Sequence, residues 1–169
     1  AAFGALIAYV NAVKTGKGQV VDVAQYEANA RWLCHAWLAY SELGMVGKRA
    51  GNKAVAFQPY DVFMARDKYV AMGAFGPAVY KRAVQALGED PDYYTWIECS
   101  SSAEAVSSPK GQELDKKFQD FITARTAEEV SEHFAKFKVP CAVVQGPAEA
   151  MNHPHFISRN NFIEWEDQT

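Results

Sequence analysis

Apolar residues change period several times along the chain, and each change predicts an element. Phe3, Leu6, Ile7, Val10 and Val13 fall at helical spacing, so the chain opens on a helix, without a Ser, Thr, Asp or Asn ahead of it to cap the first turn. Thr15-Gly16-Lys17-Gly18 reads as a turn, and the β-branched run Gln19-Val20-Val21-Asp22-Val23 predicts a short strand. From Val23 to Leu43, the residues Tyr26, Ala30, Leu33, Trp37 and Leu38 lie near one face, as an amphipathic helix of about five turns requires. The stretch Gly44 to Lys53 holds three glycines and three basic residues with few large apolar groups, which marks a linker or functional loop.

Beyond that loop a second unit begins. Phe57 to Ala65 and Tyr69 to Met72 flank the charged turn Arg66-Asp67-Lys68 and predict a β-hairpin. A helix follows, with Pro77 at its first position, Val79, Ala83 and Leu87 as its buried stripe and Gly88 as its stop. The polar, Ser-rich segment Glu89 to Ser108 predicts one short helix packed by Tyr93, Tyr94 and Trp96. Pro109 opens a helix carrying Leu114, Phe118, Phe121 and Ile122, and Thr126-Ala127-Glu128-Glu129 is a capping-box pattern ahead of Val130, Phe134 and Phe137. Pro140 to Gln145 predicts a strand, Pro147 to Met151 a short helix, His153 to Arg159 a further turn or helix, and Phe162 to Trp165 a final strand. Helices alternating with short strands give an α/β or α+β class, without an internal repeat.

Composition narrows the function classes. With 17 Lys+Arg against 20 Asp+Glu the net charge is −3, and no basic cluster exceeds Lys48-Arg49, so the electrostatic footprint of a nucleic-acid binder is lacking. The run Ala1 to Val10 is too short to span a bilayer and has no basic flank, which predicts no membrane partner. Cys34, Cys99 and Cys141 are widely spaced and odd in number; this is not a disulfide framework, and it predicts a reducing, cytoplasmic setting with Cys34 in the core. The uncapped opening and the unpartnered final strand predict that the chain is an internal part of a longer polypeptide.

Motifs for independent chemistry are weak. Asn11 to Gly18 lacks the first glycine and the Ser/Thr of a phosphate loop, and Gly73-Ala74-Phe75-Gly76 has the wrong spacing for a dinucleotide fingerprint. His153-Pro154-His155 has no Cys or carboxylate at ligand spacing, so no metal is expected. Cys34 and His35, adjacent on a helix, point in different directions and imply no dyad, while Glu27 suits the first turn of its helix electrostatically. The residues alone therefore lead to a mixed α/β chain without a self-evident reaction.

A longer pattern points further. Thr15-Gly16-Lys17-Gly18-Gln19-Val20-Val21-Asp22-Val23-Ala24-Gln25-Tyr26-Glu27-Ala28 resembles the stretch that follows the nucleophilic aspartate in family III CoA-transferases. The resemblance continues through Arg49-Ala50-Gly51-Asn52, Gln58-Pro59, the Phe63 to Val70 hairpin, Glu128 to Phe134, Val139-Pro140-Cys141 and Asn152 to Arg159. Tyr93-Tyr94-Thr95-Trp96 and the run from Arg125 to Val130 look closest to the carnitine and bile-acid CoA-transferase branch.

That resemblance implies an interlocked homodimer with a Rossmann-like large domain that holds CoA and a smaller α/β domain. Residues 1–43 would belong to the large domain, 44–56 to a linker and active-site loop, 57–145 to the small domain and 146–169 to a return linker. The implied reaction moves CoA from an acyl-CoA to a carboxylic acid through an aspartyl anhydride and an aspartyl-CoA thioester, because a carboxylate nucleophile divides one hard exchange into easier steps. The aspartate itself is expected upstream of Ala1, so no catalytic residue is assigned in this chain, and the chain alone is expected to be inactive. Gly51, Asn52 and Gln58 are the active-site loop candidates, equally readable as turn residues, and Gln25 is a cofactor-binding candidate. Where formyl-CoA relatives carry glycines, this chain has Lys53-Ala54-Val55-Ala56-Phe57. An acyl-CoA racemase of the same superfamily, or a non-catalytic CoA-binding or dimerisation module, would fit the same resemblance.

Overall fold

The computed structural model describes residues 1–166, with the side chain of Cys34 outside the description. The expected core placement of Cys34 therefore lies outside the described residues. The chain divides into two compact units, Ala1–Arg49 and Ala50–Thr169, and the division falls within the glycine-rich stretch.

The first unit is helical. Helix α1 (Ala2–Thr15) ends at Gly16, whose left-handed backbone (φ 70°) lets its N–H donate to the Ala12 carbonyl. The segment Gln19–Val23 is not a strand, because nothing among the described residues pairs with its backbone. The expected single helix to Leu43 is instead α2 (Gln25–Ala30), a 3-10 turn (Arg31–Leu33) and α3 (Cys34–Leu43). A physical reason is visible: the Trp37 indole donates at 3.1 Å to the Ala30 carbonyl, which an unbroken helix would offer to the amide four residues on. The apolar stripe of α1 is uncovered among the described residues; Phe3, Leu6, Ile7, Val10 and Val13 are each at least 43% exposed.

The second unit holds the core. Strands β1 (Tyr60–Met64) and β2 (Tyr69–Gly73) form the expected hairpin, with Phe63 opposite Val70, and β3 (Cys141–Val143) joins β2 antiparallel to give the order β1-β2-β3. Period-two alternation sends Phe63, Val70 and Met72 into the core and leaves Val62, Ala71 and Ala142 in one cross-strand row on the other face. Helices α4 (Pro77–Ala86), α7 (Pro109–Thr123) and α8 (Ala127–Lys136) contribute Tyr80 and Val84, Leu114, Phe118 and Ile122, and Val130 and Phe134 to that core. The Phe118 and Phe134 rings meet at 6.3 Å between centroids.

Ends of these helices follow the sequence closely. Pro77 begins α4, Gly88 follows its end with φ 78°, and Thr126 and Glu129 form the reciprocal capping box of α8. The segment 89–108 differs from the single short helix expected. It forms α5 (Trp96–Cys99) and α6 (Ala103–Ser107), because Thr95, Ser102 and Ser108 each cap a new helix through a side-chain oxygen. Short helices α9 (Pro147–Met151) and α10 (Pro154–Ser158) end the regular structure. The expected strand Phe162–Trp165 has no pairing partner among the described residues; Phe162 instead sets its ring against Phe156.

Candidate functional site

The candidate loop is a turn whose exit is tied down residue by residue. Lys53 N–H donates to the Ala50 carbonyl, placing Gly51 and Asn52 at the centre of the turn; Gly51 has φ 64°, a conformation that glycine adopts without penalty at this position. Both residues are exposed. Two residues on, the Ala54 N–H donates to the Tyr60 carbonyl, and Phe57 stands edge-on to Tyr60 and to Phe75 at 5.0 and 4.9 Å.

Gln58 lies behind this turn rather than on it. It is 1% exposed, and its amide nitrogen donates to the carbonyls of Cys99 (2.9 Å) and Gly111 (2.8 Å). Its backbone N–H donates to the Ser100 hydroxyl, which in turn donates to the Gln58 carbonyl. The side chain thus braces the loop against the α5–α7 segment, with its own Oε1 buried and unpartnered. Glycine at 111 lets the end of α6 lie close against the first turn of α7, where a Cβ would stand 2.2 Å from the Ala105 carbonyl oxygen.

Asn52 also borders a cleft of about 290 Å³ that includes Tyr60, Val62, Ala71, Pro140 and Ala142. The Tyr60 ring lies over Gly73, where a Cβ would come within 3.1 Å of it. Cys141 lines the cleft, and burial pushes its thiol up to about 11, so it is protonated at neutral pH and unsuited to act as a nucleophile. Burial likewise raises the fully enclosed Cys99 thiol. An exposed Gly-Asn turn beside a largely apolar cleft can donate hydrogen bonds to an oxygen and shelter an apolar group, and Asp61 adds a carboxylate to the lining of that cleft.

The other sequence candidates fall elsewhere. Gln25 is the exposed first residue of α2, in the first unit, and Glu27 lies in the same first turn. His153 Nδ1 accepts the His155 N–H at the start of α10, and no cluster of three or more His, Cys, Asp or Glu side chains suited to a metal occurs among the described residues. No helix among them is long and apolar enough to cross a membrane.

The sequence reading missed the partner of Lys53. Its ammonium meets the Asp115 carboxylate at 2.6 Å, and Gln119 donates to the same oxygen at 2.9 Å. A signal existed: Asp115 follows Gly111 by four residues and precedes Ile122 by seven, on the buried face of α7, where a carboxylate needs a partner.

Comparison with known proteins agrees with this architecture. The chain is similar to bile acid CoA-transferase BaiK of Clostridium scindens, 30% identical over 166 residues that cover 96% of this chain and 38% of that protein. It is 27% identical over 171 residues to succinyl-CoA–D-citramalate CoA-transferase of Chloroflexus aurantiacus, covering 99% of this chain and 41% of the relative. Its fold matches the crystal structure of Rv3272 from M. tuberculosis with a TM-score of 0.70 at 18% identity, over 94% of this chain and 40% of that one. A CAIB/BAIF family protein from Brucella suis matches at 0.67 and 21%, over 91% of this chain and 40% of that one. The chain therefore spans about two fifths of the length of these relatives. The description CoA-transferase family III matches residues 1–169 throughout, and the chain belongs to that family.

Proposed function

We propose that this chain works within a CoA-transferase that moves CoA from an acyl-CoA to a carboxylic acid, as in the carnitine and bile-acid branch. The observation that carries the reading is the family match over the whole chain; the exposure of the Gly51-Asn52 turn is consistent with it. An aspartate carboxylate outside these residues attacks the thioester carbonyl, and CoA leaves as the thiolate. The thiolate attacks the aspartyl carbonyl of the resulting anhydride, releasing the first acid and forming aspartyl-CoA. The acceptor carboxylate repeats the sequence in reverse, so that CoA ends on the acceptor and the aspartate is restored.

In this scheme Gly51 and Asn52 offer hydrogen bonds to the oxyanion or the acyl oxygen, and Gln58 holds their loop from behind; Gln25 is a separate candidate for binding CoA. The uncovered apolar stripe of α1 supports burial against the rest of the polypeptide or a second subunit of a homodimer. With the nucleophilic aspartate placed outside these residues by the resemblance, the 169-residue chain alone is inactive in this reading; the widely spaced, odd-numbered cysteines favour a reducing, cytoplasmic setting for the complete enzyme. The test is CoA exchange between acyl-CoA donors and a panel of carboxylic acids, followed by chromatography of the CoA esters, with the full-length polypeptide and with residues 1–169. Transfer by the first and none by the second supports the reading; loss of the substrate α-proton without transfer would replace it with a racemase.

A further inference from the structure

The ion pair between Lys53 and Asp115 joins positions 62 residues apart and is out of the ordinary in where it lies. The Asp115 side chain is only 9% exposed, on the face of α7 that otherwise carries Leu114, Phe118 and Ile122 into the core, and Lys53 is 29% exposed. A partly buried pair of this kind gains little stability over apolar residues of the same size, since desolvation of the enclosed carboxylate offsets the attraction. What it does supply is a fixed position. Lys53 directly follows Asn52, its N–H closes the Gly51-Asn52 turn, and its ammonium reaches the helix that also presents the Gly111 carbonyl to Gln58. Gln119 holds the carboxylate in the orientation that meets Lys53.

We propose that Lys53 and Asp115 are positioning residues that clamp the Gly51-Asn52 turn to α7 and so set where its hydrogen-bond donors stand. The pair, the Ala54–Tyr60 backbone bond and the Phe57 ring contacts attach the turn's exit at three points, leaving Val55 as the exposed residue between them. The clamp is a statement about the second unit alone; that it serves catalysis rests on the proposed CoA-transferase function.

The experiment uses the full-length polypeptide with Asp115→Asn, Lys53→Met, the double variant and Lys53→Arg. Hydrogen exchange followed by mass spectrometry reads the peptide covering residues 51–57. Loss of a charge-assisted bond accelerates its exchange about tenfold or more in each single variant, the double variant adds nothing further, and Lys53→Arg restores protection. CoA transfer measured on the same samples falls about tenfold in kcat/KM in the single variants and recovers in Lys53→Arg. Unchanged exchange at 51–57, or faster exchange confined to residues 109–123, overturns the clamp and leaves Asp115 as a residue of its helix. Faster exchange with undiminished transfer keeps the clamp and overturns its role in positioning the site. An inactive wild-type enzyme would refute the CoA-transferase reading while the exchange data still judged the clamp.

Discussion

Replacing Gly111 by alanine is the sharpest test of how the loop is braced. In an exposed helix the change would be favourable by up to ~1 kcal/mol, because alanine is the better helix former. Here the new Cβ would stand 2.2 Å from the Ala105 carbonyl oxygen and 2.8 Å from that of Val106. Both are backbone atoms, so no rotamer change relieves the collision, and the first turn of α7 must move away from α6 by about 1 Å to restore ordinary contact. Overpacking of this kind costs ~1–3 kcal/mol. The displacement also pulls the Gly111 carbonyl from the Gln58 amide, now at 2.8 Å, and unpairing that buried donor adds ~1–3 kcal/mol. Set against the gain in helix propensity, the net loss is about 3 kcal/mol. Native-state hydrogen exchange of peptides within residues 103–118 in the full-length polypeptide measures it, as a fall in opening free energy of that size shared with the peptide around Gln58. A Gly111→Ala protein as protected as wild type, or more so, would refute the packing described between α6, α7 and Gln58.

Other substitutions and conditions test neighbouring features. Thr126→Ala removes the capping hydroxyl of α8 and lowers stability by ~1 kcal/mol, whereas Thr126→Ser retains it, as urea-unfolding midpoints will show. Phe134→Ala empties a fully buried ring site against Phe118 and Phe121 and costs ~3–5 kcal/mol in the same measurement. Burial raises the Cys141 thiol from 9.0 to about 11, so the unfolded chain ionises first as pH climbs. The thiol's contribution to stability is complete below pH 9 and is lost between pH 9 and about 11; the melting temperature of wild type relative to Cys141→Ala should fall across that window and stay level below it.

The parts of the fold that were legible depend on neighbours in sequence. The hairpin around Arg66-Asp67-Lys68, the Pro77 and Gly88 ends of α4 and the Thr126 capping box are local devices, and the structure contains each of them. Strands expected at Gln19–Val23 and Phe162–Trp165 failed for a shared reason: β-branched or alternating residues make a strand only when another backbone pairs with them. The break between α2 and α3 was invisible because it depends on the Trp37 indole reaching back seven residues. In the site, Gly51 and Asn52 were recognisable as a turn, but the interior placement of Gln58 was not, since its partners Cys99 and Gly111 lie more than forty positions away. Asp115 was missed although it was legible, since its register on the apolar face of α7 marks a buried carboxylate in need of a cation.

The central claim is that the polypeptide carrying this chain transfers CoA through a covalent aspartyl intermediate. Intact-mass analysis of the full-length protein, before and after incubation with an acyl-CoA and no acceptor acid, tests it most directly. The account predicts a mass gain equal to an acyl or CoA group, lost on treatment with hydroxylamine and mapped by peptide sequencing to an aspartate outside residues 1–169. An active transferase that acquires no adduct, or one whose adduct maps to Cys141 or another residue of this chain, would contradict it.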